Sequence, residues 1–170
     1  IGYSAHNSVE ASTVDVGVEI LQVFKDMTSR DLLQRRVTNP TGDTSWVVSP
    51  LVTAALTGQI AVLDGIHRLE PGALATLNEL CHDRTLTLHD GTRLLRHDRF
   101  NRIAEKLGWE PNSPLTVERM AQEKGLRRVH PAFRLVALAA PPTVKSPWLS
   151  AEVLEMFAFH EVPHLTPQQM

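Results

Sequence analysis

The residues Ile60-Ala-Val-Leu-Asp64 combine four consecutive apolar side chains with a carboxylate, and Gly58 stands just before them. A short apolar run bounded by turn residues is typical of a strand that is buried on both faces of a parallel sheet. A carboxylate at the carboxyl end of such a strand lies where open α/β sheets bind ligands. The pattern therefore predicts a buried strand over residues 60–63, with Asp64 as a candidate binding residue.

A helix and a hairpin are predicted to follow this strand. Pro71 suits the first turn of a helix, and the apolar residues after it recur at the spacing of one helix face: Leu74, Leu77, Leu80 and Cys81. Beyond the helix, Leu86 and Leu88 alternate with polar residues and lead to Asp90-Gly91, a strong hairpin signal. The sequence therefore predicts a strand, an acidic residue at its end, a helix and a hairpin, in that order.

The remaining elements alternate between strands and helices. We expect strands over residues 18–24, 133–139 and 159–162, and helices over 28–36, 50–57, 98–107, 115–124 and 149–157, with a loop over 37–48. This alternation predicts an α/β fold with a doubly wound parallel sheet. We expect the strands at 18–24, 60–63 and 133–139 to be parallel and interior, with helices on both faces.

Length and composition agree with one domain. The chain has 170 residues, of which 42% are hydrophobic, enough to bury a core of its own. A net charge of −2 gives no reason to expect a nucleic-acid partner. Cys81 is the single cysteine, so an internal disulfide is excluded, and no apolar run approaches the roughly 18 residues of a membrane span. Because the chain starts at Ile1 rather than Met, we expect it to be an excerpt of a longer protein.

Several segments together resemble a known family. The run Asp64-Gly-Ile-His-Arg68, the helix after it, then Asp83-Arg-Thr-Leu-Thr-Leu88 and the hairpin resemble the middle of an AAA+ module of the MoxR and dynein-related branch. The resemblance covers about residues 18–162. It implies a P-loop NTPase fold that is truncated before the first strand and the P-loop, with a β-hairpin insertion. Residues 1–17 would be a linker or the end of the P-loop helix, 18–162 a partial AAA+ core, and 163–170 a tail toward a missing lid.

The resemblance also implies a function. AAA+ modules bind and hydrolyse ATP with Mg²⁺, and the position of Asp64 is that of the Walker B acid, which helps to hold the magnesium ion. His67 and Arg68 follow closely enough to contact phosphate, although a solvated loop pair is an equally good interpretation of them. The family forms rings, so the implied partners are further copies of the chain or other AAA+ modules. The resemblance implies a mitochondrial location as well.

Four features depart from the family pattern. No Gly-x-x-x-x-Gly-Lys segment occurs, so the 170 residues alone cannot cradle a triphosphate. Gly65 replaces the glutamate that orients water, Ala140 replaces the asparagine of the first sensor, and Met156 replaces the arginine that reaches a neighbouring subunit. These replacements leave two alternatives open: a module that binds and hydrolyses ATP in the complete parent, or a degenerate module that holds nucleotide or serves assembly without hydrolysis.

A competing motif lies near the end of the chain. His160-Glu-Val-Pro-His164 satisfies the H-E-x-x-H pattern, in which two histidines one helical turn apart bind zinc. That geometry needs a continuous helix, and Pro163 inside it would cost about 3 kcal/mol or more. No His, Asp or Glu follows His164 to complete a ligand set. The favoured interpretation is a strand end with two exposed histidines.

Overall fold

The computed structural model describes residues 17–144 and 148–162. In chain order its elements are β1 Val18–Gln22, α1 Ser29–Leu33, β2 Gln34–Thr38, β3 Thr44–Val48, α2 Pro50–Thr57, β4 Ile60–Asp64, a 3₁₀ turn Ile66–Arg68, α3 Pro71–His82, β5 Leu86–Thr87, β6 Arg93–Leu95, α4 His97–Lys106, α5 Pro114–Lys124, β7 Leu126–Arg128, β8 Arg134–Leu138 and α6 Ala151–Met156. The segments expected at 1–16 and 163–170 lie outside the described residues.

A three-stranded parallel sheet in the order β1-β4-β8 is the centre of the fold. β4 pairs with a parallel neighbour on each side, so the three carboxyl ends meet at one edge, with Asp64 opposite Gln22 and Leu138. The predicted α/β class and the parallel arrangement of these three strands are confirmed. The pairing follows from the connections, because a parallel neighbour requires a crossover such as α2 between β1 and β4.

The residues at the two ends of α2 fix where this helix begins and ends, and therefore where β4 can begin after it. Ser49 is its N-cap, and the Ser49 hydroxyl accepts a hydrogen bond from the backbone N–H of Val52 at 3.3 Å and donates one to the carbonyl of Leu32 at 2.6 Å. Pro50 occupies the first turn, where its missing N–H costs nothing. Gly58 ends the helix in the left-handed region, with φ of 84°. The predicted bounds of this helix are confirmed.

The described helices cover one face of the parallel sheet. On that face Ala61 and Leu63 of β4 are buried, and α2 packs against β1 and β4. The opposite face carries exposed apolar side chains on both outer strands: Val18 at 54%, Ile20 at 61%, Val136 at 43% and Leu138 at 50%. The expectation of strands buried on both faces is therefore wrong for the described residues, although the apolar composition from which it was drawn is present on both sides.

The segment expected as a helix over residues 28–36 and a loop over 37–48 is instead a short helix and an antiparallel hairpin. The helix α1 ends at Leu33, because Gln34 is extended (φ −151°) and begins β2. The buried Gln34 amide donates to the carboxylate of Asp90 at 2.9 Å and accepts the Asp90 backbone N–H at 3.2 Å. This tertiary contact fixes Gln34 outside the helix, and β2 then pairs with β3 along its whole length.

A second, smaller unit follows α3. The predicted hairpin β5–β6 is confirmed, and β7, which was not predicted, adds to β6 in parallel. The helices α4 and α5 pack against β7, and between these elements lies a separate core cluster of Leu95, Phe100 and Met120. Residues 159–162, expected as a strand, have no regular structure.

Candidate functional site

Asp64 is the last residue of β4 and lies at the carboxyl edge of the parallel sheet. Its main chain is held from both neighbouring strands: the N–H of Val23 donates to the Asp64 carbonyl at 2.9 Å, and the N–H of Gly65 donates to the Leu138 carbonyl at 2.9 Å. The Asp64 carboxylate is half-buried and makes no hydrogen bond or ion pair with any residue of the described ranges. Its oxygens are therefore available to a ligand.

Gly65 directs the chain away from Asp64 into a tight turn. Its backbone has φ of 98° and ψ of 36°, a left-handed conformation that glycine adopts without steric cost. A Cβ atom at this position would lie 2.9 Å from Nη1 of Arg68. Any side chain at this position would therefore meet the flexible end of the Arg68 side chain.

Arg68 connects the turn to β1. Its Nη1 donates to the carbonyl of Val23 at 3.0 Å, just beyond the end of that strand. No ion pair joins Arg68 to Asp64, and the side chain of Arg68 is exposed. Arg68 is thus a cation beside the acid with free N–H groups on its guanidinium.

His67 connects the same turn to the segment after β8. Its Nδ1 accepts a hydrogen bond from the backbone N–H of Ala140 at 3.1 Å, which requires a ring with an unprotonated Nδ1. The indole N–H of Trp148 donates to the carbonyl of Ala140 at 3.0 Å, and its ring lies 6.3 Å from the His67 ring. Both backbone groups of Ala140 are therefore satisfied by aromatic side chains. Trp148 was not among the site residues expected from the sequence, because no local pattern connects it to residue 140.

Met156, which the family resemblance places where an arginine is expected, is the last residue of α6. Its side chain is partly buried and packs against the main hydrophobic core. An apolar side chain in this place offers no donor to a neighbouring subunit. The packing gives Met156 a place in the hydrophobic core, and its replacement of an arginine stays a prediction of the family resemblance.

A magnesium ion and a nucleotide fit the donor set only in part. Mg²⁺ in nucleotide sites takes one or two carboxylates and completes its octahedron with phosphate oxygens and water, so the free carboxylate of Asp64 is a suitable ligand. Within the described ranges no group of three His, Cys, Asp or Glu side chains comes together that could hold a metal by itself. The acid therefore fits Mg²⁺ delivered with phosphates.

The zinc interpretation gains no support from the described part of the motif. His160 and Glu161 are exposed and lie in irregular structure, so the helix that would align two histidines is missing there. His164 lies outside the described residues.

No helix in the described part of the chain is both long and apolar enough to cross a membrane.

This chain is similar to known proteins in both sequence and fold. The family model for the AAA domain of the dynein-related subfamily matches residues 7–157. Von Willebrand factor A domain-containing protein 8 of Mus musculus is 46% identical over 162 residues, which are 94% of this chain and 8% of that protein. A crystal structure of a protein designated a candidate ATPase, from Cytophaga hutchinsonii ATCC 33406, superposes with a TM-score of 0.56 at 13% identity over 91% of this chain and 36% of the other. At that identity the structural likeness shows the fold alone.

Proposed function

Because the chain belongs to the dynein-related subfamily of AAA domains and is part of an AAA+ ATPase module, we propose that Asp64 is the magnesium-coordinating acid of a Mg-ATP site in a longer protein. The observation that carries the proposal is the unpaired carboxylate of Asp64 at the carboxyl edge of the parallel sheet. The sequence contains no Gly-x-x-x-x-Gly-Lys segment, so the proposal requires a phosphate-binding loop from another part of the protein. The chain spans 8% of the length of the mouse relative that it matches.

We propose further that this site retains ATP and turns it over slowly. Three groups that accelerate phosphoryl transfer are missing from this chain: a water-orienting carboxylate at Gly65, an amide at Ala140 and a trans-acting arginine at Met156. An arginine of that kind alone contributes about 10³-fold or more in rate in other NTPases. The contact of Arg68 supports this proposal, because its guanidinium lies in the turn after Asp64, can donate to phosphate and cannot act as a base, while the Nδ1 of His67 is engaged by the Ala140 N–H.

When bound, Mg²⁺ would neutralise phosphate charge at this edge of the sheet. The residues of this chain would hold the ligand rather than react with it. Asp64 would accept the ion, and the exposed guanidinium of Arg68 would donate to a phosphate oxygen. Ring assembly with further AAA+ modules and a mitochondrial location of the parent stay predictions of the family resemblance.

The test uses a longer form of the protein that includes a P-loop segment upstream of this chain. Mg-ATP binding is measured by calorimetry, and turnover by steady-state phosphate release. We expect Asp64→Asn to weaken Mg-ATP binding about tenfold or more, by analogy with other metal-site losses, and to leave binding of ATP in EDTA unchanged. Glu79→Gln removes an exposed acid on α3 and is the matched control.

Two results would contradict the proposal. Equal Mg-ATP affinity in the parent and in Asp64→Asn would exclude Asp64 as the magnesium ligand. Rapid phosphate release that Asp64→Asn abolishes would show that turnover is fast at this site, with a base supplied from elsewhere. Binding that depends on Asp64 without rapid release is the expected outcome.

A further inference from the structure

A cleft of about 350 Å³ lies in the second unit of the fold, remote in sequence from Asp64. It is formed between α4 and the strands β6 and β7. Its lining consists of three aliphatic side chains and four basic ones: Leu95, Ile103 and Leu126, with Arg93, Arg99, Arg102 and Lys106. Acidic and aromatic side chains do not contribute to it. The cleft thus combines an apolar floor with a rim of a single charge sign.

The basic rim follows from the periodicity of α4. Arg99, Arg102 and Lys106 lie at i, i+3 and i+7, which places them on one side of the helix, and Ile103 lies between them on the same side. Arg93 is contributed by the adjacent strand β6. Four cations from two elements therefore converge on one surface, in a chain whose overall net charge is −2.

The cations of the rim are largely without acidic partners. The side chains of Arg93, Arg99 and Lys106 make no hydrogen bond or ion pair with any residue in the described ranges. Arg102 reaches Asp98 at 3.2 Å, but 67% of its side chain is exposed, and Asp98 already receives two shorter bonds from Arg96, at 2.6 and 2.7 Å. The repulsion among these like charges is therefore not relieved within the described part of the chain.

A surface of this kind complements an anion that also carries an aliphatic group. Single-stranded nucleic acid binds mainly by stacking its bases on aromatic side chains, and none lines this cleft. An acidic peptide satisfies both parts of the surface, since its carboxylates pair with the rim and an aliphatic side chain can enter between Leu95, Ile103 and Leu126. The volume of the cleft suits one or two such side chains.

We propose that this cleft binds an acidic peptide segment of a partner protein, anchored by one leucine- or isoleucine-type side chain. The carboxylates of the peptide are attracted to the basic rim and orient the peptide in the cleft. Contact of its aliphatic side chain with the apolar floor favours a peptide over other polyanions. Binding weakens as salt is added, because the rim is exposed to solvent.

The test measures fluorescence anisotropy of labelled probes with the full 170-residue chain. The probes are a Glu-Glu-Leu-Glu-Glu-Leu-Glu peptide, the same peptide with every Glu replaced by Gln, and a twelve-nucleotide oligothymidine. We expect the acidic peptide to bind, the Gln peptide to bind about tenfold more weakly or worse, and Arg99→Glu/Lys106→Glu to lower acidic-peptide affinity by about tenfold or more.

Matched variants separate the parts of the site. Arg35→Glu reverses one exposed charge on β2 and should leave binding unchanged. Ile103→Thr should weaken the leucine-containing peptide but not a variant of it with alanine in place of leucine, and thermal melting checks that both proteins stay folded.

Two observations would overturn the proposal. One is an absence of acidic-peptide binding by the unaltered chain. The other is tighter binding of oligothymidine than of peptide, with no effect of Ile103→Thr, which would define a general polyanion surface. Loss of peptide binding in both the double charge variant and Ile103→Thr, with the Arg35→Glu control intact, supports it.

Discussion

Gly58 is the position at which the structure predicts the effect of a single methyl group most directly. Gly58 ends α2 with φ of 84°, and a Cβ atom there would lie 2.2 Å from Nδ1 of His130. That ring nitrogen accepts the backbone N–H of Ala132 at 3.1 Å, so it has little freedom to move. Gly58→Ala therefore meets both a backbone penalty and a steric one.

The two penalties are of similar size. A non-glycine residue in the left-handed region costs about 1–2 kcal/mol. Displacing His130 breaks its bond to Ala132, which costs about 1 kcal/mol more. We expect Gly58→Ala to lower the free energy of unfolding by about 2–3 kcal/mol, measured by urea denaturation with the fluorescence of the three tryptophans as the signal.

The chain contains a matched control for the backbone part. Gly42 has φ of 87°, but a Cβ atom there would meet nothing within 4 Å, so Gly42→Ala should cost only the backbone penalty. The double variant Gly58→Ala/His130→Ala should recover about 1 kcal/mol relative to the sum of its single variants. Equal losses for Gly58→Ala and Gly42→Ala, with no recovery in the double variant, would refute the argument that His130 is held rigidly against the end of α2.

Two further predictions concern the core. Leu63→Asp should unfold the domain in far-ultraviolet circular dichroism, because it places an unpaired charge at a fully buried position, whereas Leu154→Asp, at a half-exposed position, should leave the spectrum unchanged. Burial raises the pKa of the Cys81 thiol from its ordinary value of 9.0 to about 11, so its alkylation at pH 8 should be about a hundredfold slower than that of a cysteine peptide. Equally fast alkylation of the folded chain and of the peptide would contradict this.

The parts of the fold that sequence predicted are those whose determinants are local. The helix α2 was bounded correctly because the residues at its two ends, Ser49-Pro50 and Gly58, stop the helix by their own chemistry. Likewise β4 follows from one continuous apolar run, and the hairpin β5–β6 from Asp90-Gly91. The position of Asp64 at the end of β4 was predicted for the same reason, because the apolar run ends there, and its role as a ligand stays a prediction.

The parts that were missed depend on contacts between distant residues. The end of α1 at Leu33 depends on the bonds between Gln34 and Asp90, which are 56 residues apart in the sequence. The environment of Ala140 depends on His67, 73 residues away. No periodicity within one segment encodes such pairs, so a helix was expected over residues 28–36, where the tertiary contact imposes a strand from Gln34 onward.

The exposed face of the parallel sheet shows a different limit of sequence reasoning. Apolar residues on both sides of β1, β4 and β8 correctly indicate a sheet suited to burial on both faces. Burial, however, requires a covering element, and the described helices supply one for a single face. The apolar composition of a strand indicates which of its faces can be buried. Whether a face is buried depends on the other elements of the polypeptide that pack against it.

The turn after β4 explains how the main chain of the candidate site is held in place. This turn, Gly65–Arg68, contacts the end of every strand in the parallel sheet. Gly65 donates to the last residue of β8, Arg68 donates to the carbonyl of Val23 after β1, and His67 accepts from Ala140 after β8. A glutamate at position 65 would meet both the left-handed backbone and the guanidinium of Arg68. Glycine at position 65 therefore allows the sharp turn after Asp64, and the turn anchors the Asp64 main chain between its neighbouring strands. The proposed Mg-ATP site therefore rests on a carboxylate whose main chain is anchored on both sides and whose oxygens no described side chain contacts.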